Sequence, residues 1–131
     1  MVVGERPSSV SSTLRPVLAI SSVAAAPAGR ILTNEDLVRR FPGRTAHDIY
    51  QRTGIESRPL LAEGETALTL ATRAARAALR ETGLNLSDLH AIFVSTSSPI
   101  SLSPSMACLL HHELSRLGPT KDLPASDILA A

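Results

Sequence analysis

The sequence predicts an α/β fold with a parallel, doubly wound sheet. Short apolar runs at residues 17–23, 91–96 and 126–131 read as buried strands, and helical segments lie between them. Strands alternating with helices are the pattern of parallel sheets. The chain has 131 residues, 44% hydrophobic but only 2% aromatic, so its core must be built from Leu, Ile, Val and Ala. Three buried strands and about four helices are too few to cover such a sheet, which argues for part of a larger domain.

Composition also excludes functions. A net charge of +1 gives no bulk attraction to DNA or membranes. The few aromatic side chains supply no platform for stacking single-stranded bases. One cysteine rules out an intrachain disulfide framework and fits a reducing, cytoplasmic setting. No apolar run approaches the roughly 20 residues of a membrane span. Arg15-Pro16 followed by residues 17–26 has the outline of a signal peptide. Ser21-Ser22 breaks that apolar run and Glu5 lies among the leading charges, so residues 17–23 read instead as a central strand.

In order, residues 1–15 lack periodicity and read as a disordered leader ahead of a domain at 16–131. After the strand at 17–23 comes an Ala/Pro loop. Thr33 or Asn34 can cap a short helix over 35–40, with Glu35 and Asp36 in its first turn and Arg39 and Arg40 in its last. Phe41-Pro42-Gly43 ends it. Thr45 can cap a second helix over 46–52, stopped by Gly54. Residues 55–61 read as an extended segment that Pro59 confines to an edge. Residues 65–82 form the clearest helix, with Leu68, Ala71, Ala75, Ala78 and Leu79 on one face. Gly83 closes it, and residues 86–89 make one helical turn. The strand at 91–96 exits into a Ser-rich loop over 97–103. Ser103 can cap a helix over 104–117 that opens on Pro104. Residues 126–131 form the last strand. In open α/β sheets chemistry gathers beyond the carboxyl ends of strands, so the position after Ala131 draws attention.

Candidate chemistry is sparse. Cys108, His111 and His112 share a helical face but lack the further ligands and the HExxH pattern of a zinc site, so no metal site is expected. The bland reading puts Cys108 in the buried face. The serines of 95–105 lack G-x-S-x-G, and the seven glycines form no phosphate loop. Arg39, Arg40, Arg44, Arg52 and Arg58 cluster, as a basic surface or as a phosphate grip. The residues alone support a possible anion site and no catalytic constellation.

Five stretches in order carry a family resemblance. They are Ile31-Leu32-Thr33-Asn34-Glu35-Asp36-Leu37 (V-x-T-N-x-D-L), Arg52-Thr53-Gly54-Ile55-x-x-Arg58 (R-T-G-I-x-x-R), Ile92-Phe93-Val94-Ser95-Thr96-Ser97, Pro104-Ser105-Met106-Ala107-Cys108 (P-S-x-A-C) and Ser126-Asp127-Ile128-Leu129-Ala130-Ala131 (x-D-[VI]-x-A-A). Over residues 17–131 the chain resembles the N-terminal portion of β-ketoacyl-acyl-carrier-protein synthase III, of the thiolase superfamily. The resemblance implies the incomplete N-terminal half of a layered αβαβα fold with a parallel-dominated sheet and flanking helices. It implies an acyltransferase that condenses an acyl primer with malonyl-carrier protein in fatty-acid or polyketide initiation. Acyl-CoA and acyl-carrier protein would be its partners, without a resident cofactor, and the complete protein would be a homodimer.

The family's nucleophilic Cys follows the last motif, and a His and an Asn come later. Residues 16–131 would therefore end just before the nucleophile and be inactive alone, with no catalytic residue among them. Cys108 matches the structural cysteine of P-S-x-A-C. Arg52 matches the arginine that contacts the nucleotide end of CoA, while Arg39 and Arg40 gain nothing from the resemblance. Asp48 stands where the family has an adenine-stacking Trp, and a carboxylate there disfavours phosphate, which points to a carrier-borne or otherwise atypical primer. Ser103 replaces a bulky Phe that reaches the partner's acyl pocket, which implies a longer or branched primer. The alternative is a non-catalytic thiolase-like module that binds carrier protein or a complementary chain beginning Cys-x-Gly; an unrelated small α/β domain is a third reading. The same exposed faces, on the helix at 68–79 and on the last strand, would make the isolated chain aggregate.

Overall fold

The computed structural model describes residues 19–41 and 43–129. Elements run β1 (Arg30–Thr33), α1 (Asn34–Val38), α2 (Ala46–Thr53), β2 (Ser57–Leu60), α3 (Ala67–Thr82), a 3₁₀ turn (Leu86–Asp88), β3 (Ile92–Thr96), α4 (Met106–Ser115) and β4 (Ala125–Leu129). The expected leader at 1–15 and the end of the last strand, Ala130-Ala131, lie outside the described residues.

The α/β class and the parallel pairing hold. β3 and β4 pair in parallel, with Ile92 opposite Ala125 and Thr96 opposite Leu129, and α4 is the crossover between them. A second, two-stranded ribbon pairs β1 with β2 antiparallel, Arg30 opposite Leu60 and Thr33 opposite Ser57. This ribbon corrects the expected strand order. The described part of 17–23 is not a strand: residues 19–23 have no ladder partner, and Ile20 and Val23 are exposed. The first strand is β1, whose Ile31 lies opposite Pro59; Pro59 falls on an edge as its missing N–H requires.

The core lies between the β3–β4 sheet, α3 and α4. Leu86, Ile92, Ala107, Leu110 and Leu114 are buried, and Leu68, Ala71 and Ala75 of α3 pack on them. Each fully buried Leu or Ile contributes about 1.5–3 kcal/mol. The apolar face expected on α3 is therefore partly covered. The strands are half-buried rather than buried: Ile92 is 8% exposed but its neighbour Phe93 66%, and Ile128 is 57% exposed. Helices cover one sheet face among the described residues, and period-2 alternation puts Phe93 and Ile128 on the other.

Helix ends follow side-chain caps. Thr33, Thr45 and Thr66 each accept the N–H three residues on and open α1, α2 and α3; Gly54 and Gly83 close α2 and α3 in the left-handed region. α1 is shorter than expected: it stops at Val38, and Arg39 and Arg40 fall past its last turn. α4 starts later than expected. Ser105, not Ser103, caps it by accepting the Cys108 N–H at 3.2 Å, and the cis Ser103–Pro104 bond lies ahead of the helix. Cys108 is exposed, contrary to its expected burial, because the buried stripe of α4 runs through Met106, Ala107, Leu110 and Leu114.

Candidate functional site

The sequence motifs meet in pairs. The Arg52-Thr53-Gly54-Ile55 stretch is the C-terminal stop of α2. The Thr53 hydroxyl donates to the Ile49 carbonyl at 2.7 Å and accepts the Ile55 N–H at 3.1 Å. Gly54, at φ +66°, turns the chain and donates its N–H to the Tyr50 carbonyl. Only glycine adopts that conformation without strain. Asn34, 3% exposed at the start of α1, then fixes the turn: its Nδ2 donates to the Ile55 carbonyl at 2.7 Å. The Asn34 Oδ1 accepts from Arg58 Nη2 at 3.0 Å. Asn34 and Arg58 thereby bind the first two motifs into one unit, and Arg58 is structural rather than a free phosphate grip.

Asp127 joins the last two motifs in the same way. From β4 its carboxylate accepts the Met106 N–H at 2.8 Å and the Ala107 N–H at 2.7 Å. A helix N-terminus presents unpaired N–H groups and a partial positive charge, and this carboxylate answers both. The carboxyl end of β4 is thus held against the N-terminus of α4.

The arginines divide. Arg39 pairs with Asp36 and lines a separate open pocket beside β1 with Arg30. Arg40, Arg44 and Arg52 line one open cleft of about 630 Å³ between α1 and α2, floored by Leu37 and Ile49. None of the three is ion-paired among the described residues. Asp48 also borders this cleft, but its carboxylate is committed to the α2 cap: it accepts the Thr45 N–H at 2.9 Å. That bond, the Thr45 hydroxyl and the nearby Arg44 hold the Asp48 carboxyl below its usual range. A lowered carboxyl stays ionised, so Asp48 keeps its negative charge at the border of the cleft.

Ser103 lies exposed in the loop before α4 and does not line the arginine cleft, so Arg52 and Ser103 are separate features. His111 bonds the Thr120 hydroxyl at 3.1 Å. No group of three or more metal-ligating side chains occurs among the described residues, and no described helix is long and apolar enough to cross a membrane. Sequence reasoning missed the roles of Asn34 and Asp127, although both stand inside motifs it had picked out. It also discounted Arg40, which lies past the end of α1 and lines the cleft.

A β-α-β crossover with its strand end pinned to the crossover helix, beside an antiparallel ribbon and an arginine-lined cleft, is the arrangement of a thiolase-like protein. The structure superimposes on the 3-oxoacyl-[acyl-carrier-protein] synthase III of Aquifex aeolicus with a TM-score of 0.75 and 34% identity, covering 84% of this chain and 34% of that one. The β-ketoacyl-[acyl-carrier-protein] synthase III of Oleidesulfovibrio alaskensis is 43% identical over 102 residues, 78% of this chain and 29% of the relative. That of Thiobacillus denitrificans is 42% identical over 101 residues, 77% and 30% respectively. No family model matches the chain. Within the thiolase-like class, the chain groups with β-ketoacyl-[acyl-carrier-protein] synthase III, and it spans about a third or less of the length of these relatives.

Proposed function

We propose that residues 16–131 are the N-terminal thiolase-like domain portion of a ketoacyl synthase III-like acyltransferase, preceded by a leader at 1–15. The observation that carries this reading is the cleft in which Arg40, Arg44 and Arg52 stand over an apolar floor. Guanidinium groups grip phosphate with a planar fork, and the apolar floor suits the uncharged part of the same ligand. Arg52 contacts the phosphates of an acyl-CoA primer. Ser103 borders the acyl pocket across a homodimer and leaves room for a long or branched chain; S103F should narrow the product profile to short primers. Condensation uses malonyl-carrier protein, in the cytoplasm, at the start of fatty-acid or polyketide assembly.

In the reaction, a cysteine thiolate attacks the primer thioester and expels the CoA thiol. Malonyl-carrier protein loses CO₂, and the resulting carbanion attacks the acyl-cysteine carbonyl, forming the C–C bond and releasing the thiolate. The sequence holds one cysteine, Cys108, exposed on α4 with its Sγ 3.9 Å from the Ala125 carbonyl. In this reading the nucleophile and its His and Asn partners belong to a longer or a complementary polypeptide. What these residues contribute is binding and position: the arginine cleft, and the Asp127 bond that fixes the end of β4.

The test combines an intact mass with a condensation assay on the protein purified from its source. We expect a mass well above 13.8 kDa, or a copurifying chain, and acyl-CoA-dependent CO₂ release from malonyl-carrier protein. A 13.8 kDa protein that binds carrier protein yet condenses nothing, alone or with any copurifying chain, would establish the interaction module instead.

A further inference from the structure

A smaller cleft lies between the C-terminal ends of α3 and α4 and shares no residue with the arginine cleft. Its volume is about 220 Å³. That is below the roughly 300–1,000 Å³ of sites for drug-sized ligands, so its ligand is small. Its lining is rich in leucine. Leu86 and Leu114 are buried and form the floor, while Leu84 and Leu117, in the turns that follow the two helices, are 43% and 53% exposed. Single exposed leucines are ordinary, but two that converge on one concavity from separate turns leave a continuous apolar surface uncovered. Arg76 and Arg80 complete the wall, one helical turn apart on α3. Neither is ion-paired among the described residues. Arg80 lies in the last turn of α3, where the helix dipole favours a cation. Arg76 stands too early in the helix for that account and is half-buried. Glu113, which lines an adjoining pocket with Arg76, pairs with Arg116 at 3.6 Å.

We infer that this cleft binds a medium-chain aliphatic carboxylic acid as its free anion, with Arg76 and Arg80 taking the carboxylate and the leucines taking the chain. The planar fork of a guanidinium matches a carboxylate with two parallel hydrogen bonds. A small apolar cleft with cations in its wall selects a ligand charged at one end and aliphatic at the other. A free acid lacks the thiol leaving group of an acyl thioester, and a thioester lacks the anionic end that Arg76 and Arg80 would hold. The site is therefore one of binding without turnover, and it stands independently of the acyl-CoA reading and of Arg52.

The experiment is calorimetric titration of the complete protein, with any chain that copurifies, using octanoate, octanamide and butyrate. Octanamide keeps the chain and the shape of the acid but not its charge, and butyrate keeps the charge but loses methylenes that the leucines would cover. We expect octanoate to bind roughly tenfold or more tightly than either, with affinity falling as salt rises. Arg76→Gln and Leu117→Ser should each weaken octanoate binding roughly tenfold. In leucine-methyl NMR spectra octanoate should shift the signals of Leu84 and Leu117. Equal affinity for octanoate and octanamide would reduce the cleft to an apolar patch and overturn the inference. So would an unchanged affinity in Arg76→Gln, the absence of binding at millimolar octanoate, or shifts confined to Leu37, which would place the acid in the arginine cleft. Melting of the unliganded variants separates lost binding from lost folding, and where a variant does not fold the ligand series and the NMR shifts of the parent protein still decide.

Discussion

Replacing Asp127 by alanine removes the acceptor of two backbone bonds, from Met106 at 2.8 Å and Ala107 at 2.7 Å. Both amides belong to the first turn of α4, where no intrahelical carbonyl can take them. Met106 is 2% exposed and Ala107 fully buried, so water replaces the carboxylate poorly. A stranded buried donor costs about 1–3 kcal/mol and loss of a helix cap about 0.5–2 kcal/mol. Ser105 still caps Cys108, which argues for the lower half of the combined range, about 2–3 kcal/mol. Asn at 127 keeps one carbonyl oxygen and should lose about half as much. Hydrogen exchange followed by mass spectrometry reads this locally. Protection of the amides at the start of α4 should fall roughly 30- to 150-fold in D127A, the equivalent of that free energy, with α2 unaffected. A D127A chain whose α4 amides exchange within about twofold of the parent would refute the reasoning, because Asp127 would then only decorate the helix.

Two further tests address the other end of the fold. Asn34→Ala leaves the Ile55 carbonyl without its Nδ2 donor and Arg58 without its acceptor, where Arg58 Nη1 already lacks a partner among the described residues. Urea unfolding should show a loss of about 2–4 kcal/mol, with Asn34→Asp intermediate because it still accepts from Arg58; an unchanged midpoint would mean that the motifs fold independently. Glu65 accepts the Ala62 and Gly29 N–H groups and pairs with Arg73, which together hold its carboxyl below its usual value of 4.5. A depressed carboxyl stabilises the fold above its unfolded value and loses that contribution as pH falls through the folded one. Asp36 and Asp48 act in the same sense, through their bonds to Thr33 and Thr45. Melting temperatures taken from pH 7 down to pH 3 should therefore fall below about pH 4.5, and less steeply in Glu65→Gln; identical acid limbs would remove Glu65 from the account.

How much was legible in the sequence follows from the range of each interaction. Caps and stops are local, so Thr45 and Gly54 bounded α2 closely, and the face of α3 was visible in its spacing. Strand pairing is not local. The apolar run at 17–23 looked more strand-like than Arg30-Ile31-Leu32-Thr33, yet the latter has Ser57–Leu60 within reach as an antiparallel partner. An apolar run becomes a strand only where another backbone lies alongside it. The start of α4 was misplaced for a related reason. Ser103 and Ser105 are equally good caps on paper, and the carboxylate that decides for Ser105 comes from Asp127, 21 residues from Met106. The arginine cluster was visible, but not its division: Arg39 is taken by Asp36 and Arg58 by Asn34, which leaves Arg40, Arg44 and Arg52 to the cleft.

That division bears on function. A phosphate site needs cations that are both free and fixed, and the molecule separates the two demands. Asn34 and Arg58 spend their polar groups on each other and on the Ile55 carbonyl, holding the turn that ends α2. Thr53 and Gly54 complete that turn, and Arg52, immediately before them, keeps its guanidinium unpaired among the described residues. At the other end Asp127 does for β4 what Asn34 does for α2: its side chain holds a backbone end in place. In both cases a polar side chain inside the motifs is a positioning group. In the proposed function the residues that meet a ligand are the exposed ones beside them, and substitutions in the two sets should separate, the first lowering stability and the second lowering affinity.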